Sequence, residues 1–185
     1  MFCKLFCSFL LLTILPVTVA DQSVDLLEIP ANDDGLPGAG PIRRYDWFQN
    51  LWKKKRAEFA SQVAVKQGSV VFLGDSITQG WGPNLKNSFP GLSVANRGIS
   101  GDTTRGMLIR MTEDVLGLNP SAVVLLMGTN DLEELATPNI IAGNLKLIVA
   151  KLKQHNAEMP IVLAGRACGN LVPNMHYREE GGNYS

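Results

Sequence analysis

The sequence predicts an α/β fold in which helices cover the faces of a parallel sheet. Two observations carry that prediction. Short apolar runs alternate with segments of helical period, the pattern of a parallel sheet with crossover helices. Three of the runs are followed at once by glycine-containing polar clusters, and such clusters collect beyond the carboxyl ends of parallel strands. With 185 residues, 45% hydrophobic, 18% charged and 17 basic against 17 acidic side chains, the chain belongs with single-domain globular proteins. The balanced charge gives no footing to a nucleic-acid binder, which shows a basic surplus or stripe.

The elements are assigned in chain order. Lys4, the apolar run Leu5 to Leu15 and the stretch Pro16 to Ala20 form a signal-peptide pattern over residues 1–20, with Thr18 and Ala20 at the −3 and −1 positions. Cleavage there predicts export, secreted or periplasmic, with no stable membrane span in the mature chain. Of the three cysteines, Cys3 and Cys7 would leave with the signal, so Cys168 has no internal disulfide partner. Residues 21–43 hold Pro30, Gly35, Pro37, Gly38, Gly40 and Pro41 without a period, and read as an extended lead-in over the surface. The domain proper is placed at 44–165, with an irregular tail at 166–185.

Within the domain, Phe48, Leu51, Trp52 and Phe59 recur at helical spacing, so the first helix starts near Arg44 and continues through Val65 until Gly68 closes it. The basic run Lys53 to Arg56 on that helix reads as a solvated face. Strands are placed at Ser69–Leu73, Leu92–Ala95, Ala122–Met127 and Ile161–Ala164. A helix over Thr103–Val115 carries the stripe Met107, Leu108 and Met111, and Thr137 caps a last helix with Pro138 in its first turn, running to about Gln154.

The three polar clusters are Gly74-Asp75-Ser76-Ile77-Thr78, Asn96-Arg97-Gly98-Ile99-Ser100-Gly101-Asp102 and Gly128-Thr129-Asn130-Asp131. Taken alone, the first is as readily a turn capping the next helix. Three at consecutive strand ends make a coherent set for acyl transfer: Ser76 as nucleophile, with the Gly101 backbone N–H and the Asn130 amide as oxyanion donors. Asp75 and Asp131 beside them read as acceptors that fix the loops. Asp75 and Trp81 are also the candidate residues at the substrate, Trp81 as the wall of an acyl or leaving-group pocket or as a rim aromatic. Arg105 reads as a surface salt bridge.

On those blocks the sequence resembles the SGNH (GDSL) hydrolase family, matched in order by Gly74-Asp75-Ser76, by Gly101 within Ser100-Gly101-Asp102, and by Gly128-Thr129-Asn130-Asp131. The run Gly101-Asp102-Thr103-Thr104-Arg105 is most similar to the branch that contains the platelet-activating-factor acetylhydrolase catalytic subunits. The resemblance implies a flavodoxin-like three-layer sandwich and a serine esterase acting on small or acetyl-type esters, with no metal and no cofactor. Neither a G-x-G-x-x-G after the first strand nor a Walker-type loop is present, which disfavours nucleotide binding.

The chain departs from the family pattern at its end. No Asp-x-x-His block supplies the base, and the only histidines are His155 and His176. His155 reads as a solvated or capping residue at a helix end, and His176 as a surface residue of the tail. The last strand and helix implied by the resemblance are also missing, which leaves a sheet edge and an apolar face uncovered and favours oligomerisation. The sequence therefore carries two function readings: an exported esterase acting on a small-molecule ester, or a catalytically impaired, truncated domain or non-catalytic module that retains an ester or glycan pocket.

Overall fold

The computed structural model describes residues 26–164. The signal pattern at 1–20, Cys168, His176 and the tail at 166–185 lie outside the described residues. The elements run α1 (Asp46–Ser61), β1 (Val70–Gly74), α2 (Ser76–Gly80), α3 (Asn84–Ser88), β2 (Val94–Gly98), α4 (Thr104–Ile109), α5 (Met111–Asp114), β3 (Ala122–Leu126), α6 (Thr129–Glu133), α7 (Pro138–His155) and β4 (Ile161–Leu163). The four strands are all parallel in the order β2-β1-β3-β4. This is the predicted α/β architecture, and β1, which leads to Ser76, lies between the strands that lead to Gly101 and Asn130.

Alternation along the strands makes the two faces. Val71, Leu73, Ala95, Val123 and Leu125 point to one side, where Met107, Leu108 and Met111 of α4 and α5 and Leu145, Ile148 and Leu152 of α7 close the main core. Phe72 and Val94 point to the other, against Leu85 of α3 and the partly buried Phe89. Phe48, Trp52 and Phe59 of α1 form a third cluster with Ile99. Toward β4 the second face stays open. Phe72, Thr78, Trp81, Phe89, Val124, Leu126, Val162 and Ala164 line an apolar cavity of about 320 Å³ there.

Several expected boundaries move, each for a physical reason. The first helix ends at Ser61, and a 3₁₀ turn at Ala64–Lys66 replaces its last turns before Gly68, whose φ of 70° places it in the left-handed region. The second strand starts at Val94 and runs to Gly98, so Asn96 and Arg97 lie in the strand. Leu92, proposed as its first residue, is exposed. Thr137 does cap α7, accepting from the Ile140 N–H.

The single helix expected over Thr103–Val115 is two helices, broken at Arg110. Arg110 is fully buried. Its Nε donates to Asp102 Oδ2 at 2.8 Å and its Nη1 lies 3.4 Å from Asp114 Oδ2, while Nη2 donates to the carbonyls of Arg97 at 2.8 Å and Gly74 at 3.4 Å. A continuous helix would optimise its own ladder. The break instead lets one side chain serve the ends of β1 and β2.

The solvated face assigned to Lys53–Arg56 is corrected at Arg56, which is 2% exposed. Its Nε bonds both carboxylate oxygens of Asp114 at 3.2 Å, and it reaches Glu113 as well. Arg105 does form a salt bridge, to Asp33, but it is buried rather than on the surface. The described part of the lead-in is likewise not a loose surface segment. Asn144 accepts from the Ala39 N–H and donates to the Ala39 carbonyl, and Thr103 Oγ1 donates to the Pro41 carbonyl. Ile42 and Arg43 are buried.

Removing Arg110 would strand the buried Asp102 carboxylate, whose one bonded oxygen it holds, and take a donor from Asp114 and from two carbonyls, and breaking a buried ion pair from one side costs about 3–5 kcal/mol. Arg110→Ala should lower unfolding free energy by that order in urea denaturation. Arg110→Lys should recover little of the loss, since an ammonium cannot reproduce the fork. A lysine variant as stable as the parent would show that the network is not what holds these loops.

Candidate active site

Ser76 is the first residue of α2, directly after the central strand, and its side chain is exposed. The turn is held from below: Asp75 accepts from the Ile77 N–H at 3.0 Å, capping α2. Asp75 itself is 1% exposed, so its carboxylate fixes the turn and presents no surface to a ligand. Burial raises its pKa, against the Ile77 hydrogen bond that lowers it.

Neighbouring strands supply the flanks. Asn96 Nδ2 donates to the Thr78 carbonyl at 2.6 Å, and Gln79 Oε1 accepts from the Ser100 N–H at 2.9 Å, joining the α2 turn to the end of β2 and the loop after it. Gly98 must be glycine for the same approach, because a Cβ there would lie 2.3 Å from the Gln79 nitrogen. Gly101 has φ of 87°, and a Cβ on it would meet Trp47 Cη2 at 2.6 Å. Among the described residues neither the Ser76 nor the Gly101 N–H has a hydrogen-bond acceptor.

From the other side, Asn130 of α6 is buried, and its Nδ2 donates to the Asp102 carbonyl at 2.8 Å. Asp131 accepts from the Thr104 N–H at 2.9 Å and from Thr104 Oγ1. Loops after β2 and β3 are thereby joined across the end of β1. Burial raises the Asp131 pKa against these bonds. Both aspartates act as the loop-fixing acceptors expected.

Trp81 follows α2 and is 39% exposed. It packs edge-on against Phe72 and Phe89 with ring centroids 5.7 Å apart in each case, at the mouth of the apolar cavity. It is one of the residues that line that cavity.

His155 takes no part in this site. It ends α7, just ahead of β4, and its Nε2 lies 3.1 Å from Asn119 Oδ1 in the turn before β3. Both neighbours precede strands, so the imidazole sits at the amino edge of the sheet, opposite Ser76. Among the described residues no group of His, Cys, Asp or Glu side chains is placed to hold a metal ion.

Of two further residues near the site, Asp102 was read only as part of the glycine block and Arg43 escaped the sequence reading. Arg43, from the lead-in, places Nη1 at 3.3 Å from Asn130 Oδ1, while Nε and Nη2 bind Glu134 and Glu133 at 2.7 and 2.5 Å. Burial opposes its charge, but the two glutamates outweigh burial and keep its pKa raised. Asp102, next to Gly101, is fully buried, with Oδ2 on Arg110 and no partner for Oδ1 among the described residues. Burial pushes its pKa up to about 7 although Arg110 pulls the other way. The tetrapeptide Gly128 to Asp131 did point to Asn130, whereas nothing in the irregular lead-in singled out Arg43.

Residues 72–184 match the family model described as the GDSL-like lipase/acylhydrolase family. The human platelet-activating factor acetylhydrolase IB subunit alpha2 is 30% identical over 149 residues, covering 76% of this chain and 62% of that protein. An arylesterase of Vibrio mimicus is 30% identical over 112 residues, 54% of each chain. The chain thus spans 53–64% of the length of the acetylhydrolase relatives it matches. Among solved structures, a GDSL-like lipase from Bacteroides thetaiotaomicron superposes with a TM-score of 0.50 at 32% identity, covering 58% of this chain and 56% of that one. A Streptococcus pneumonia structure described as a platelet activating factor reaches 0.57 at 23% identity, covering 64% and 56%, and shares the fold.

Two outcomes follow from the loop after β2. Gly101→Ala should cost about 1–2 kcal/mol from its left-handed backbone alone, read by denaturant midpoint. Asp102 binds its proton more tightly folded than unfolded, so protonation stabilises the fold. That contribution is complete below the unfolded pKa near 4 and is lost as pH rises to about 7. Asp102→Asn should therefore flatten the fall in stability between pH 4 and 7 relative to the parent. Parallel stability curves for the two proteins would contradict the raised pKa.

Proposed function

The chain belongs to the GDSL-like lipase/acylhydrolase family, and we propose that it hydrolyses small or acetyl-type carboxylic esters with Ser76 as nucleophile. One observation carries the reading. The exposed Ser76 follows β1, which lies between the strand that leads to Gly101, whose N–H has no acceptor among the described residues, and the strand that leads to Asn130, whose amide is tied to the Asp102 carbonyl yet keeps one N–H.

In this reading Ser76 Oγ adds to the ester carbonyl carbon and gives up its proton to a base. The carbonyl π electrons move to oxygen, where the Ser76 and Gly101 N–H groups and the second N–H of Asn130 meet the new charge. Collapse expels the alcohol, which takes up the proton, and water then releases the acid from the acyl-serine. Trp81 borders the acyl or leaving-group side. Of the two histidines only His176, outside the described residues, is left as a candidate base, because His155 lies at the opposite edge. Export of the mature chain belongs to the same proposal and rests on the N-terminal pattern alone.

The test is hydrolysis of p-nitrophenyl acetate by the purified protein beside Ser76→Ala, Asn130→Ala and His176→Ala. Ser76→Ala should abolish turnover above background, and Asn130→Ala should lower kcat by about 10²–10³. Equal background rates in folded parent and Ser76→Ala would favour the second reading, a domain that binds an ester or glycan without turning it over.

A further inference from the structure

Asn130 can point its amide either way, and only one way serves an oxyanion. With Nδ2 toward the site it donates; with Oδ1 there it repels. Asn130 Nδ2 donates to the Asp102 carbonyl at 2.8 Å, and the oxygen faces Arg43 Nη1 at 3.3 Å. The Arg43 side chain is 8% exposed and is itself fixed by Glu133 and Glu134. It also borders the loop after β2, since a Cβ on Gly101 would lie 3.1 Å from Nη1. One buried cation thus touches Asn130 and adjoins Gly101, the two residues flanking Ser76.

We propose that Arg43 is a positioning residue for the oxyanion site. It locks the Asn130 amide with its oxygen turned away from the substrate, and its charge polarises the amide so that the remaining N–H donates more strongly. Arg43 lies outside the segment that matches the family model, which begins at residue 72, so the lead-in completes a site whose other parts come from the three strand ends. The same contact explains why Arg43 carries two glutamates. Glu133 and Glu134 follow closely after Asn130 at the end of α6, and they hold the guanidinium beside the amide while balancing its charge.

The inference rests on the esterase reading, so its test separates the two. A fluorophosphonate reacts at a nucleophilic serine and puts its phosphoryl oxygen into the oxyanion site. Its rate of Ser76 modification is measured by mass spectrometry for the full chain, Arg43→Met, Arg43→Lys, Asn130→Ala and the double variant Arg43→Met/Asn130→Ala. Arg43→Met should slow modification by roughly tenfold, and Arg43→Lys should recover part of the rate. The double variant should be no slower than Asn130→Ala, because Arg43 works through Asn130. Glu58→Gln, which breaks an ion pair to Lys55 on α1 outside this set, should stay within about twofold of the parent. Unchanged rates in Arg43→Met, or losses that simply add in the double variant, would overturn the positioning role.

If Ser76 of the parent is not modified at all, the serine-nucleophile reading fails instead. The side-chain ¹⁵N–¹H resonances of Asn130 then decide about Arg43. Shifts and exchange rates altered in Arg43→Met but not in Glu58→Gln uphold the lock, and identical spectra reject it.

Discussion

The fold and the site depend on one buried cation, Arg110. Moving a guanidinium from water into a protein interior costs several kcal/mol unless its donors are met, and here they meet two carboxylates and two backbone carbonyls. Those carbonyls belong to Gly74 and Arg97, at the ends of β1 and β2, and Asp102 begins the turn into α4. The strand that delivers Ser76 and the loop that delivers Gly101 therefore share a single anchor. Gly106 makes room for it, since a Cβ there would lie 2.1 Å from Asp102 Oδ1.

Around Arg110 the charge is close to balance but not met atom by atom. Arg56 and Arg97 join it against the Trp52 and Phe59 rings, facing Asp102 and Asp114. Burial lowers the Arg97 pKa to about 10 even with Asp114 beside it, and its Nη2 has no partner among the described residues. The two groups that burial shifts furthest, Asp102 and Arg97, are thus neighbours of the same anchor. Such a network fixes geometry at some cost in stability, as expected where loops must be held in one arrangement beneath a reactive surface.

The strand-end clusters were legible because their glycines are demanded locally: Gly101 by its backbone angle, Gly98 by the approach of Gln79. Local demands leave a mark in local sequence. Arg56 illustrates a signal that was present but outweighed. It lies four residues after Trp52 and three before Phe59, on the buried stripe, yet its basic neighbours suggested a wet face. The break at Arg110 left no comparable mark, since Met107, Leu108 and Met111 keep a helical stripe through it. What breaks the helix is a set of bonds to Gly74 and Arg97, and no period records those. The lead-in was opaque for the same reason, because its order comes from Thr103, Arg105 and Asn144, more than sixty residues away.

Asn130 shows how a site can be tied down without losing its donors. An amide side chain offers two N–H groups and an oxygen with two lone pairs. Here the oxygen faces Arg43 and one N–H is held by the Asp102 carbonyl, which leaves one N–H uncommitted at a buried position. A carboxylate at the same place would face the Asp102 carbonyl with an acceptor and, in the proposed reaction, would bring a second negative charge toward the oxyanion. A glutamine would carry the amide one methylene further, past both of its anchors. The residue type follows from two simultaneous bonds and a free N–H rather than from any one of them. Ser76 completes the arrangement by contrast: it is the one member left exposed, because its backbone is already fixed by Asp75 and the end of β1.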